Sequence, residues 1–240
     1  MALTTRTWNH SVPESLYSGL EDLSTRLSSL YRNSLLGLTL YGAALEDGHS
    51  HSPAQTIMVL ERVDIGPLRT LAQHASLFGS QNLAAPLAMT PEYITASLDT
   101  FPLELIEVHQ RHVTLVGTDY FESLDIRDEH VRLQCEREFK RILMRIRHGI
   151  LLAADHERQI GHLIADVGQH IIRTLRGMLW LRGAKDYRPR DAVVSQCAGA
   201  LSRPLTGVTT AMRVGAACGW AELQSLYDDV EALAQWANDE

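Results

Sequence analysis

Four groups of residues have the types and spacing to do chemistry. Leu38-Thr39-Leu40-Tyr41-Gly42-Ala43 is an apolar run closed by a glycine, and after a polar loop Pro53-Ala54-Gln55 leads into a second apolar run, Thr56-Ile57-Met58-Val59-Leu60. A glycine turn at a strand end lets backbone N–H groups come close to an anion such as a phosphate. The loop between the runs holds Glu46, Asp47, His49 and His51, and a His-x-His pair beside acids offers the donor types of a transition-metal site. A simply solvated loop has the same composition. His109 and His112 stand three residues apart and would converge in a turn; an exposed connection between elements is the plainer reading. Arg137, Arg141, Arg145 and His148 fall within about 80° of one another on a helix of 3.6 residues per turn. That is a basic ridge able to meet phosphates or an acidic partner, or else a solvated face with Glu136 and Glu138 as ion-pair partners.

The elements that must hold these residues can be read from hydrophobic spacing. Leu16, Leu20, Leu23, Leu27 and Leu30 recur at three and four residues, which predicts an amphipathic helix over residues 14–31. Residues 35–41 and 56–63 are short apolar runs that fit buried strands. Residues 67–78 are expected to be helical, and Thr90-Pro91-Glu92 reads as the start of another helix, with proline in the first turn. Residues 103–108 and 112–116 are two further strand candidates, the second closed by Gly117. A polar, acidic connector follows at 117–128, and beyond it the pattern is helical. Val131, Cys135, Phe139, Ile142, Ile146 and Ile150 form one stripe, and Ile160, Leu163, Ile164, Val167, Ile171, Leu175 and Met178 form another. Helices near 190–201 and 220–237 complete a bundle, with the small-residue stretch 207–219 unassigned. The expected domains are therefore 1–122 and 123–240.

Bulk composition narrows the classes. A formal net charge of -7 over 240 residues disfavours a non-specific nucleic-acid binder, which needs a basic surface. Cys135, Cys197 and Cys218 are odd in number, far apart and set in apolar segments, which reads as buried thiols of a reducing compartment. No apolar stretch reaches the roughly 20 residues of a membrane span, and the first ten residues have no signal-peptide core. A cytoplasmic protein is expected. Walker, dinucleotide-binding and nucleophile-elbow motifs are absent from the sequence.

The chain resembles the nucleotidyltransferases of the DNA polymerase beta superfamily, and more narrowly bacterial nucleotidyltransferase-like proteins with a helical C-terminal domain. The resemblance covers roughly residues 14–183. It rests on Leu38 to Ala43, on Gln55 to Leu60, on Thr100-Phe101-Pro102-Leu103-Glu104-Leu105-Ile106-Glu107, on His112-Val113-Thr114-Leu115-Val116-Gly117, and on His130-Val131-Arg132-Leu133-Gln134-Cys135-Glu136. It implies an α+β fold: an N-terminal mixed sheet with helices, then an all-helical bundle. In that superfamily the first strand ends in Gly-Ser or Gly-Gly, and the second opens with two acids at i and i+2. Such residues share one face of a strand and chelate Mg²⁺, which bridges the triphosphate.

The departures from that pattern bear directly on function. Gly-Ser is Gly42-Ala43, and the acid positions fall on Pro53 and Gln55. Proline offers no ligand, and glutamine offers one neutral oxygen to a cation that favours anionic oxygen. Glu104 or Glu107 would be the third acid, and one carboxylate does not organise a two-metal site. The resulting expectation is a degenerate, catalytically inactive nucleotidyltransferase homologue, a pseudoenzyme acting as a binding or scaffold module. Its vestigial nucleotide cleft would be lined by Gly42, Ala43, Gln55 and Glu104. The alternatives are a working Mg²⁺-dependent nucleotidyltransferase with acids relocated to Asp47, Glu104 or Glu107, and a helical interaction or homodimerisation protein. No cofactor is expected, Mg²⁺ and a nucleoside triphosphate entering only if the site is active. The expected partners are a second copy or another protein, with a nucleotide as the candidate small ligand; membranes and nucleic acids are not expected.

Overall fold

The computed structural model describes residues 12–45, 53–153, 156–213 and 219–240. Contacts divide them into two compact units, one built from the chain up to Leu98 together with Glu107–Asp125, the other from Asp99–Ile106 with Ile126–Glu240. The chain passes between the units three times, and the third passage, after Asp125, falls in the connector at residues 117–128.

In the first unit, α1 (Tyr17–Tyr31) precedes β1 (Leu35–Tyr41), a short 3₁₀ turn at Gly42–Leu45 and β2 (Gln55–Leu60). Then come α2 (Ile65–Ala72), α3 (Ala75–Ser80), β3 (Leu87–Met89), α4 (Pro91–Ala96), α5 (Pro102–Gln110), whose residues up to Ile106 belong to the second unit, and β4 (His112–Gly117). The strands form one mixed sheet in the order β3-β2-β1-β4, with β1 antiparallel to both β2 and β4 and β3 parallel to β2. Alternation along β1 and β2 decides what each face does. Leu38, Leu40, Ala54, Met58 and Leu60 join Leu20, Leu23 and Leu27 of α1 in one buried core, and the three- and four-residue spacing of the α1 leucines is what brings them there together. Thr90 caps α4 as its sequence predicts, its Oγ1 accepting from the Tyr93 N–H at 3.1 Å.

The second unit is helical: α6 (Asp128–Ala153), α7 (Glu157–Leu181), α8 (Arg190–Ala200), α9 (Thr206–Ala211) and α10 (Trp220–Asp239). The predicted stripes of α6 and α7 are buried at Val131, Cys135, Phe139, Ile146, Ile160, Ile164, Val167, Ile171, Leu175 and Met178. Gly177 shows how tightly they pack, since a Cβ there would stand 2.3 Å from Leu103 Cδ2 and 2.7 Å from Cys135 Sγ. Cys135 and Cys197 are buried and free. Among the described residues no helix is long and apolar enough to cross a membrane.

Two sequence-based expectations change. Residues 103–108 form a helix, not a strand: Pro102 opens α5, and Glu104, Glu107 and Gln110 recur every third residue between buried Leu103, Leu105, Ile106 and Val108. Residues 67–78 are divided between α2 and α3, and the small-residue stretch contributes the short helix α9. There Gly207 lets α9 lie against α10, a Cβ at that position falling 2.2 Å from the Leu226 nitrogen.

Candidate functional site

The site grows out of the register of three strands. Tyr41, the last residue of β1, pairs with Gln55 on β2 and with His112 on β4. Directly paired residues of antiparallel strands point to the same face, so Gln55, Tyr41 and His112 form a row across the sheet. It lies on the face opposite the α1 core. The row ends at Gly42, whose φ of 77° is a left-handed conformation that favours glycine. Gln55 reaches over this turn: a Cβ added to Gly42 would lie 4.0 Å from Gln55 Oε1. The strand pairing thus brings Gln55 beside Gly42, with Ala43 next in the 3₁₀ turn.

Glu104 sits on the part of α5 that belongs to the second unit, where its carboxylate accepts from Gln134 Nε2 at 2.9 Å and pairs with Arg173 at 3.2 Å. Glu107 is on the same helix and not on a sheet strand. The strand beside β1 is β4, and the residue it adds to the row is His112. Sequence reasoning missed His112 as a member of the site because it read residues 103–108 as the strand carrying the third acid. The proline at position 102 and the three-residue spacing of polar groups after it were the available signal for a helix.

His112 is held firmly. Its Nδ1 is 2.8 Å from the Val108 carbonyl oxygen, and its Nε2 is 2.9 Å and 3.1 Å from the two carboxylate oxygens of Asp119. The side chain is only 11% exposed, so it is no exposed connection between elements. Phe121 meets the ring edge-on at 6.1 Å, while His109 Nδ1 lies 2.8 Å from the Phe121 carbonyl oxygen. The two histidines therefore do not converge on a common ligand; each closes a separate hydrogen bond around Phe121. Asp119 also accepts from the Phe121 and Glu122 N–H groups, at 2.8 Å and 3.1 Å. Burial pushes its carboxyl up, but the Phe121 N–H and His112 outweigh burial and hold it below the usual aspartate value.

This chemistry does not suit a metal-bound triphosphate. Gln55 supplies one neutral oxygen, Pro53 none, and His112 has both nitrogens engaged. The Gly42 N–H, which could face a phosphate, donates instead to the Arg111 carbonyl at 3.2 Å. Among the described residues no three His, Cys, Asp or Glu side chains are placed to hold a metal ion. Glu46, Asp47, His49 and His51 lie outside the described residues.

The ridge residues Arg137, Arg141, Arg145 and His148 are all exposed on α6. Arg141 pairs with Glu138 at 2.9 Å and Arg145 with Asp166 of α7 at 2.7 Å. Glu136 takes Lys140 and Arg132.

With this geometry in hand, comparison with solved structures is informative. The chain is similar to the spectinomycin adenyltransferase AAD(9) of Enterococcus faecialis, a crystal structure with ATP and spectinomycin. The TM-score is 0.60 at 14% identity, over 92% of this chain and 99% of that one. The chain has the nucleotidyltransferase fold. The four-stranded mixed sheet and the helical C-terminal region both accord with it. No protein-family model matches the chain, and no curated protein matches it either. At this level of identity the likeness speaks for the fold, and what the nucleotidyltransferase fold does here has to be argued from the strand-end row itself.

Proposed function

We propose that the chain is a degenerate nucleotidyltransferase homologue that no longer transfers nucleotides and acts as a binding or scaffold module. The observation that carries this reading is the composition of the strand-end row. Where the superfamily pattern asks for carboxylates beside a glycine turn, this chain has Gln55 and a His112 already bound on both sides, with Pro53 just ahead of β2. Phosphoryl transfer is catalysed chiefly by positioning and by cationic neutralisation of the phosphates, and a row with no free carboxylate cannot hold the cation. A left-handed glycine turn under a neutral amide still suits a nucleobase or sugar, through hydrogen bonds that need no metal. Gly42, Ala43, Gln55 and Tyr41 would line such a site.

The test pairs a binding assay with a transfer assay. Unfolding temperature is followed with ATP, GTP, CTP and UTP, each with and without Mg²⁺, because a ligand that binds the folded state shifts stability by mass action. Transfer is followed with labelled ATP and spectinomycin, the pair seen with the similar enzyme. The expected result is no labelled product and a nucleotide-induced shift that is the same with and without Mg²⁺. Labelled spectinomycin, or stabilisation that requires Mg²⁺, refutes the loss of catalysis; a flat response to every nucleotide refutes nucleotide binding.

A further inference from the structure

The helix α6 has two faces, and only one is used inside the second unit. On its outer side Leu133, Met144, Leu151 and Leu152 are 48%, 69%, 78% and 64% exposed. Leu133, Met144 and Leu151 are eleven and seven residues apart, which puts them within about 20° of one line along the helix. Such spacing is that of a helix-docking seam, and it runs for about 27 Å at 1.5 Å per residue. The basic ridge lies directly beside it: Arg137 stands about 40° from that line and His148 about 60°, and neither makes an ion pair with a described residue. From Arg132 to His148 the helix has six Lys and Arg against Glu136 and Glu138 of its own, with Asp166 of α7 and Glu231 of α10 pairing Arg145 and Arg147, which still leaves a basic excess in a chain whose formal net charge is -7.

We propose that this outer face of α6 docks an acidic amphipathic helix of a protein partner. Charge decides the occupant. A second copy packed about a two-fold axis at Met144 would set Arg141 against Arg147 and Lys140 against His148, and like charges across an interface disfavour the pairing. A parallel copy would set Arg137 against Arg137. A nucleic acid would match the basic residues but leave the three large apolar side chains of the seam facing phosphates. A helix with an apolar spine and flanking Glu or Asp satisfies both features at once. The seam belongs to the second unit alone and does not depend on what the strand-end row binds.

The experiment uses the full chain and a designed, fluorescein-labelled helical peptide of about 20 residues, long enough to span the seam at 1.5 Å per residue. Its leucines follow the seven- and eleven-residue spacing and its flanks are Glu; a control peptide has Lys in their place. Vesicles of phosphatidylcholine and phosphatidylserine form the third arm. Anisotropy should report saturable binding of the acidic peptide, weaker at higher salt, and a loss of at least about tenfold in affinity on Met144→Glu or Leu151→Glu. These are exposed positions, and unchanged circular dichroism and unfolding temperature would show that the variants stay folded. The proposal is overturned if the acidic peptide fails to bind, if the Lys peptide binds as well, if the variants bind unchanged, or if the protein prefers vesicles.

Discussion

Replacing Asp119 tests the reading of the strand-end row most directly, because one carboxylate gathers three donors there. It accepts from the Phe121 N–H at 2.8 Å, the Glu122 N–H at 3.1 Å and His112 Nε2 at 2.9 Å. Hydrogen bonds to a charged group contribute about 1.5–3 kcal/mol each, yet they are not additive and the Asp119 side chain is 29% exposed. Water can replace part of what is lost. A net destabilisation of about 2–3 kcal/mol for Asp119→Ala is therefore expected. The loss should be local, so the proper assay is amide hydrogen exchange along His112–Gly117, where about 2 kcal/mol means roughly thirtyfold faster exchange if opening is rate-limited by equilibrium. The pH dependence has a definite sign. The folded Asp119 carboxyl sits below its ordinary value, so its stabilisation is fully present above the unfolded pKa of about 3.9 and is lost as pH falls through the lower folded value. The gap between the native chain and Asp119→Asn should accordingly be constant from pH 7 to about 5 and close under more acidic conditions. Unchanged exchange in β4, or a gap that persists below the folded value, would sink the view that this carboxylate locks His112.

Four other outcomes are expected. Rebuilding the acid pattern with Pro53→Asp, Gln55→Asp and His112→Glu should create a Mg²⁺-dependent thermal shift with ATP; at tenfold excess over Kd the gain is about 1.4 kcal/mol, and its absence would mean that the row is not the ancestral metal site. Gly177→Ala should destabilise the helical unit by about 1–3 kcal/mol, measured by thermal unfolding, because the added methyl would overlap Leu103 and Cys135. Leu23→Ala should destabilise the sheet unit by about 2–5 kcal/mol, read from urea unfolding, since Leu23 is fully buried against the sheet. Burial raises the thiol pKa of Cys197 to about 12 and pushes Cys135 higher still, so mass spectrometry after mild alkylation at pH 8 should find both unmodified until the protein unfolds.

Local pattern and tertiary packing contributed unequally. The helices α1, α6 and α7 were legible because their apolar residues repeat with the helical period over several turns, and that period arises from the backbone alone. The pair β1 and β2 was legible as two apolar runs around a glycine turn. Residues 103–108 were not: a six-residue segment of four apolar residues and two glutamates satisfies both strand and helix, and its burial on α5 decides between them. The basic ridge could be drawn on a wheel, but the apolar seam beside it shows only once the bundle is packed, because the exposure of Leu133, Met144 and Leu151 depends on which neighbours lie against α6.

What the sequence by itself determined is the absence of carboxylates: Pro53 and Gln55 are what they are whatever the fold, and no packing turns a neutral amide into an anion. What only the tertiary structure decided is which residues meet. His112 enters the row because β4, and not residues 103–108, pairs with β1, and Asp119 reaches it through a turn further along the chain. Strand pairing joins residues far apart in sequence through backbone hydrogen bonds common to every residue, so the identities of Tyr41, Gln55 and His112 could not announce that they are neighbours.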